Sequence, residues 1–277
     1  ILGIIVLVYL FRRSRKQDNQ MVFNFWGLQE SRWKKISFYL FLIALSGLLI
    51  SLLDFRGEGE RLKANIAQQK SVIMIDASAS MLAEDVRPNR FEKSIFLARH
   101  FIRKASGHQV AVILFSDTHR KLVPFTSDLD LLDARLEALA KKSLSRGGTG
   151  LSLALQESIN YLRDSEGKIQ GNVLLYTDGE ENQSFQDLKI PDEVNVAVVG
   201  VGTSGGGRIP MRSSRGDFQG YMRFGGKEII SKLDENSIRK IGENITNFKY
   251  WLVSSYSLPT ENILSYFQSQ YTELQKK

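Results

Sequence analysis

Three groups of oxygen-bearing side chains stand directly after apolar runs or before a predicted helix in this sequence. Asp76, Ser78 and Ser80 follow the first run, Asp178 follows the third, and Thr149 lies in a glycine-rich loop. Oxygen-only ligand sets select hard cations, Mg²⁺ above all, with Mn²⁺ or Ca²⁺ as alternatives. Alternate residues of an extended turn point the same way, so D-x-S-x-S directs a carboxylate and two hydroxyls at one point. The sequence therefore predicts a metal site formed by these five residues.

A sheet is needed to bring these loops together, and the sequence predicts one. Continuous β-branched runs are typical of central parallel strands that are covered on both faces. Four such runs occur, at residues 72–75, 110–115, 173–176 and 194–199. Apolar stripes with helical spacing lie between them, beginning at Phe91, Leu129 and Leu151. This alternation indicates right-handed crossovers and an α/β fold with a doubly wound, mostly parallel, Rossmann-like sheet.

Further elements complete the predicted fold. Residues 118–125 predict an antiparallel strand, residues 237–245 a last helix and residues 248–253 a last strand. In an open sheet of this type, ligands bind beyond the carboxyl ends of the strands, where the three oxygen-rich loops are expected. Helix capping is the alternative role, because Asp, Ser and Thr are favoured N-caps. The coincidence of all three loops at equivalent strand ends favours the metal site.

The five predicted ligands resemble the metal-ion-dependent adhesion site of von Willebrand factor A (VWA) domains, over residues 70–253. The resemblance implies that Ser78, Ser80 and Thr149 bind the ion directly, and that Asp76 and Asp178 bind directly or through water. Because neutral hydroxyls leave much of the charge of the ion uncompensated, a protein partner could add an Asp or Glu carboxylate.

Three segments resemble the membrane-anchored VWA proteins of bacterial aerotolerance operons, of the BatA/BatB type. They are residues 81–90, 209–210 and 231–235. The resemblance implies partners of three kinds: other Bat-type VWA proteins, tetratricopeptide-repeat proteins and a MoxR-type AAA+ ATPase. It also implies a role in envelope stress or aerotolerance.

The first part of the chain has the pattern of a membrane anchor. Residues 36–53 are 18 residues without a charge, which is enough for a helix to cross the hydrocarbon layer. Residues 1–11 are equally apolar but too short, so we expect them to be the end of a truncated transmembrane helix. Residues 12–35 hold seven cations against two carboxylates, and the positive-inside rule places this basic loop in the cytoplasm.

This topology predicts the location of the rest of the chain. After a linker at residues 54–69, the VWA domain would lie on the extracytoplasmic side of a bacterial inner membrane. Residues 254–277 carry an amphipathic helical stripe that includes Ile263 and Phe267. We expect this segment to lead toward a third transmembrane helix beyond the chain; docking of a partner helix is the alternative.

Composition excludes several classes of function. The 277 residues include no cysteine, which removes disulfides, thiolate zinc sites and cysteine nucleophiles. Most of the net charge of +7 lies in residues 12–35, so the remaining residues carry too little positive charge to favour nucleic-acid binding. Residues 200–205 spell G-x-G-x-x-G, but Pro210 follows where a dinucleotide site needs a helix. Residues 200–226 are rich in glycine and arginine, which predicts a long solvated hairpin or, alternatively, an insertion that contacts a partner.

We expect a binding protein and not an enzyme, because no His, Cys or Lys accompanies the predicted metal site in the sequence. Two alternatives stay open. One is a metal-dependent hydrolase or phosphatase with Asp76 as nucleophile, although Ser78 stands where the comparable phosphatases carry a second Asp. The other is a structural envelope protein whose metal site serves folding alone.

Overall fold

A computed structural model describes most of the chain after residue 68, together with one short helical segment before it. The described ranges are 39–47, 69–105, 107–140, 150–180, 190–213, 215–254 and 256–276. The chain divides into two compact units, Ile1–Asn65 and Ile66–Lys277.

Of the first unit, residues 39–47 are helical and mostly exposed. Within the described ranges, no helix has both the length and the apolarity that crossing a membrane requires. The predicted anchor at 1–11, the basic loop at 12–35 and the rest of the span predicted at 36–53 lie outside the described residues. So does nearly all of the predicted linker.

The second unit is built on a six-stranded sheet. Its strands are β1 (Lys70–Asp76), β2 (Gln109–Phe115), β3 (His119–Thr126), β4 (Gly171–Thr177), β5 (Val194–Val201) and β12 (Phe248–Val253). Their order is β12-β5-β4-β1-β2-β3, and only β3 runs antiparallel to its neighbour. The predicted mostly parallel sheet is therefore confirmed, and β1 and β4 are neighbours at its centre.

Helices cover both faces of the sheet. They are α1 (Arg90–Lys104), α2 (Leu129–Ala140), α3 (Leu151–Tyr161), α4 (Glu235–Gly242) and α5 (Thr260–Lys276). Side chains of a strand point alternately to opposite faces, so Ile73 and Ile75 pack with α1, α2 and α5. Val72 and Met74 pack in a second core with α3 and α4. Burial on both faces explains why the strands are continuous apolar runs.

The helix after β12 belongs to the first of these cores. Ile263 and Phe267 of α5 are buried, and the Phe267 ring meets Phe101 of α1 edge to face at 6.1 Å. The predicted amphipathic helix is confirmed, but its apolar stripe contacts α1 of the same unit. Because Ile263 and Phe267 are already covered within this unit, the alternative prediction that they dock a partner helix is wrong.

Between β5 and α4 the chain forms three short antiparallel pairs in place of the predicted single hairpin. These pairs join β6 (Gly207–Arg208) to β11 (Ile230–Ser231), β7 (Pro210–Arg212) to β8 (Phe218–Tyr221), and β9 (Arg223–Phe224) to β10 (Lys227–Glu228). We call residues 207–231 the ribbon. Helix α4 begins at Glu235, two residues before its predicted start, because the Asp234 side chain accepts from the backbone of Ser237 as an N-cap.

Candidate metal centre

The two predicted carboxylates lie at the carboxyl ends of neighbouring parallel strands. Asp76 is the last residue of β1, and Asp178 directly follows Thr177, the last residue of β4. Ile75 is paired with Tyr176 in the register of the two strands, so both strands end at the same level. Asp76 and Asp178 are fully buried. The sheet thus brings together two acidic residues that are far apart in the sequence.

The turn after β1 places two hydroxyls beside Asp76. Ser78 and Ser80 flank the start of a 3₁₀ helix at Ala79–Leu82, and their Oγ atoms lie 2.9 Å apart. The Ser78 side chain makes no capping hydrogen bond to this helix, so the alternative role of capping is not observed for it. Ser78 is buried, whereas Ser80 is half-buried, so the hydroxyl pair extends from the interior toward the surface.

Both oxygens of Asp76 accept hydrogen bonds. Oδ1 accepts from the backbone N–H of Ser78 at 2.9 Å, and Oδ2 accepts from Oγ1 of Thr177 at 2.7 Å. Burial, followed by repulsion from Asp178, raises the pKa of Asp76 from 3.8 to about 7. An additional positive charge beside Asp76 would stabilise its ionised form, and hard cations prefer the oxygen ligands found here. These residues therefore fit a divalent cation.

Asp178 is held by a buried arginine. Its Oδ2 accepts from Nη1 of Arg90 at 2.9 Å, and its Oδ1 accepts from the backbone N–H of Glu180 at 3.2 Å. Arg90 also donates from Nε and Nη2 to the two oxygens of Asp85, both at 2.8 Å. Its remaining bonds go to Oγ and the carbonyl oxygen of Ser231, at 2.7 and 2.9 Å. We call Arg90, Asp85, Asp178 and Ser231 the arginine hub.

The charges of the hub carry a high desolvation cost, because its ion pairs are almost completely removed from water. The side chain of Arg90 is 0% exposed, Asp178 is 0% and Asp85 is 4%. Burial acts to raise the pKa of Asp85, but the hydrogen bonds and charge of Arg90 outweigh it and lower that pKa below its ordinary value. Oγ1 and the backbone N–H of Thr203 also donate to Asp85. This hub was not predicted from the sequence.

A glycine closes the turn after Asp178. Gly179 has φ = +77°, and a Cβ at this position would lie 2.5 Å from the carbonyl oxygen of Asp234. The backbone N–H of Asp234 also donates to the carbonyl oxygen of Asp178, at 2.9 Å. The close approach of the start of α4 therefore explains why glycine follows the acidic residue.

Thr149, the fifth predicted ligand, lies outside the described residues. Its neighbour Gly150 is the N-cap residue of α3, and the backbone N–H of Gly150 donates to the carbonyl oxygen of Ser116, just beyond β2. Across the described part of the chain, no three His, Cys, Asp or Glu residues gather in an arrangement able to hold a metal ion. A cation at this edge would therefore depend on hydroxyl ligands as well as carboxylates.

Comparisons with known proteins identify the domain. The profile of the von Willebrand factor type A domain matches residues 71–181. A UPF0353 protein of Mycolicibacterium vanbaalenii is 22% identical over 256 residues, which cover 88% of this chain and 74% of that protein.

Two solved structures share the fold. The conserved hypothetical protein BatB of Bacteroides thetaiotaomicron superposes with a TM-score of 0.61 at 24% identity, over 74% of this chain and 99% of that one. An aerotolerance-related membrane protein of Bacteroides fragilis gives a TM-score of 0.60 at 24% identity, with the same coverage. The chain therefore contains a von Willebrand factor type A domain and has a BatB-like fold, as its motifs predicted.

Proposed function

We propose that this protein binds a divalent cation at the edge of its VWA domain and uses it to capture a carboxylate of another protein. One observation carries the proposal: Asp76 and Asp178 are buried side by side at adjacent strand ends, beside two serine hydroxyls 2.9 Å apart. The residues that would hold the ion are Asp76, Ser78, Ser80, Thr149 and Asp178. Mg²⁺ suits such oxygen ligands best, and Mn²⁺ or Ca²⁺ also fits them.

The arrangement supports an open, surface-facing ligand position. Asp76 and Asp178 are fully buried, whereas the half-buried Ser80 brings a neutral hydroxyl toward the surface. Neutral ligands on the outer side favour an additional anionic ligand from outside. When bound, a divalent cation supplies a positive centre to which a carboxylate of a partner can bind.

The contacts of Asp76 support binding without turnover. A nucleophilic carboxylate must reach the atom that it attacks, and hydrolysis needs a positioned general base. Asp76 is fully buried, and both of its oxygens already accept hydrogen bonds, from the Ser78 amide and the Thr177 hydroxyl. The metal-dependent hydrolase is therefore the weaker candidate.

Metal titration of the purified full chain tests the site directly. Mg²⁺ binding followed by calorimetry should be lost in Asp76→Ala and strongly weakened in Ser80→Ala. Ser269→Ala, at an exposed position of α5, is the matched control and should bind as the wild type does. Equal Mg²⁺ affinity in all four proteins would refute the proposed site.

A second experiment separates binding from the two alternatives. Pull-downs from membranes in Mg²⁺ or in EDTA should recover a protein partner only with Mg²⁺ and only with the wild type. Identical recovery in every lane would favour the structural envelope protein. Hydrolysis of a phosphate ester that is lost in Asp76→Ala would instead establish the enzyme.

We further propose that the domain is anchored in a bacterial inner membrane and lies on its extracytoplasmic side. The uncharged residues 36–53 and the cation excess of residues 12–35 support this topology. The fold neighbour from Bacteroides fragilis is described as an aerotolerance-related membrane protein. Bat-type VWA and tetratricopeptide-repeat proteins would then be partners in an envelope complex, whereas a cytoplasmic MoxR-type ATPase would reach only residues 12–35.

Cysteine labelling tests this topology, because the native chain has no cysteine. In intact cells, Ser14→Cys should be protected from an impermeant thiol reagent. Ser254→Cys, at an exposed position directly after β12, should react. The reverse pattern would invert the proposed orientation, and reaction at both positions would refute a membrane span between them.

A further inference from the structure

The ribbon exposes arginines together with large apolar side chains. Five cations of residues 207–231 stand against two carboxylates. Among its apolar residues, Phe224 is 84% exposed, Ile230 57% and Phe218 55%. Exposed aromatic residues beside arginines are typical of the centres of protein interfaces. The ribbon therefore has the composition of a docking surface.

Both ends of the ribbon make close contacts with residues beside the candidate metal centre. At its start, Gly207 packs so closely on the backbone of Glu84 and Asp85 that a Cβ would lie 2.7 Å from the Asp85 nitrogen. At its end, Ser231 binds Arg90, the same side chain that holds Asp178. The position of the ribbon relative to the metal edge is thus set by close backbone packing at its start and by a buried hydrogen bond at its end.

The arginines of the ribbon are available to an anionic partner. Arg208 and Arg223 both reach Glu228, at 3.2 and 3.5 Å, and Arg212 lies 3.4 Å from Glu84. More than half of each arginine side chain is exposed, so these ion pairs contribute little and exchange readily. A partner carboxylate could replace Glu228 or Glu84 at small cost.

We infer that the ribbon docks an acidic protein segment that also carries an aromatic or aliphatic side chain. The inference rests on the proposed function, since one carboxylate of the same segment would bind at the metal while others meet the ribbon. The mixed surface favours a polypeptide over a lipid headgroup: arginines match carboxylates, Phe224 and Ile230 match an apolar residue, and Asp217 and Glu228 would oppose an anionic membrane surface.

The test uses the full chain in nanodiscs of neutral lipid and a phage library of short random peptides, selected with Mg²⁺. The ribbon variant replaces Arg212, Arg215 and Arg223 by Gln. The matched control removes three cations at exposed positions away from the ribbon, and it consists of Arg103→Gln, Arg135→Gln and Arg163→Gln. Phe224→Ser tests the apolar contact separately. Unchanged circular dichroism and urea midpoints show that each variant folds.

Selected peptides should be enriched in Asp and Glu with at least one aromatic or aliphatic residue. Their Kd should rise about tenfold in the ribbon variant and several-fold in Phe224→Ser, but stay unchanged in the control. Peptides without acidic enrichment, or with equal affinity for ribbon variant and control, would overturn the inference. If no acidic peptides are selected and the protein sediments with phosphatidylglycerol vesicles in a way that depends on the ribbon, the surface would be assigned to lipid instead.

The same peptides distinguish failure of this inference from failure of the proposed function. Mg²⁺ titration of the ribbon variant should give the wild-type affinity, because none of the replaced arginines contacts Asp76 or the two serines. Asp76→Ala should lose only the Mg²⁺-dependent part of peptide binding. Ribbon-dependent peptide binding that ignores Mg²⁺ altogether would keep the docking surface and refute the proposed function.

Discussion

Replacing Arg90 by Met should strongly destabilise the VWA domain. Arg90 makes five hydrogen bonds, and two of its partners are the buried carboxylates of Asp85 and Asp178. Methionine fills similar space but leaves both carboxylates without a positive partner. Breaking a buried ion pair by removing one member costs about 3–5 kcal/mol. A typical domain has a total stability of about 5–15 kcal/mol, so the loss is a large fraction of it.

Urea unfolding of the full chain, followed by circular dichroism, measures this loss. Arg99→Met is the matched control, because Arg99 lies on the same helix and pairs with Asp133, but both side chains remain about a quarter exposed. Exposed pairs contribute at most about 1 kcal/mol, so the control should lose little stability. A loss in Arg90→Met no larger than that of the control would refute the reasoning about the hub.

Adding Mg²⁺ should have a larger effect on the stability of Arg90→Met than on the stability of the wild type. Arg90 places a positive charge against Asp178, which repels a cation at the proposed site. Its removal should therefore tighten Mg²⁺ binding, and saturating Mg²⁺ should stabilise Arg90→Met more than the wild type. The Glu180 amide still orients Asp178 in the variant. A smaller Mg²⁺ effect in Arg90→Met would contradict this electrostatic argument.

Three further predictions use the same urea assay without metal. Gly179→Ala should lower the free energy of unfolding by about 1–3 kcal/mol or more, because φ is +77° and the new Cβ would collide with Asp234. Its control is Gly167→Ala, where φ is +85° but the space is open, and it should lower the free energy of unfolding by about 1 kcal/mol. Ser231→Ala should cost about 1–3 kcal/mol by removing a buried partner of Arg90. Because the pKa of Asp76 is raised from 3.8 to about 7, the folded chain retains a proton that the unfolded chain releases, so stability present below pH 3.8 falls as the pH rises through about 7. Asp76→Asn should abolish that decline. Equal losses of stability in the two glycine variants, an unchanged stability in Ser231→Ala, or a wild-type stability that does not vary with pH would contradict the respective prediction.

The sheet and the position of the acidic residues could be predicted because both follow from local patterns. Each central strand is a continuous apolar run, since both of its faces are covered by helices. Asp76 and Asp178 each follow such a run, and parallel strands that end at the same edge place them together. Predicting Ser78 and Ser80 as ligands required only that side chains alternate in direction along the turn. These predictions required no knowledge of distant pairing beyond the sheet itself.

The arginine hub could not be predicted in this way. Arg90 stands in a polar segment at the start of a helix, where an arginine is ordinarily solvated. Its partners Asp178 and Ser231 lie 88 and 141 residues away, and no local periodicity connects them. The three short strand pairs of the ribbon escaped prediction for a related reason, because each strand has only two to four residues.

The hub shows how the metal edge and the ribbon are linked through one side chain. Arg90 emerges from the start of α1, and its Nη1 donates both to Asp178 at 2.9 Å and to Ser231 at 2.7 Å. Asp85 occupies the opposite side of the guanidinium and also accepts from Thr203, just before the ribbon. Displacing either end of the ribbon would therefore disturb a bond of Arg90. Because Arg90 is fully buried, water cannot replace a hydrogen bond that it loses, and we expect the disturbance to extend to Asp178.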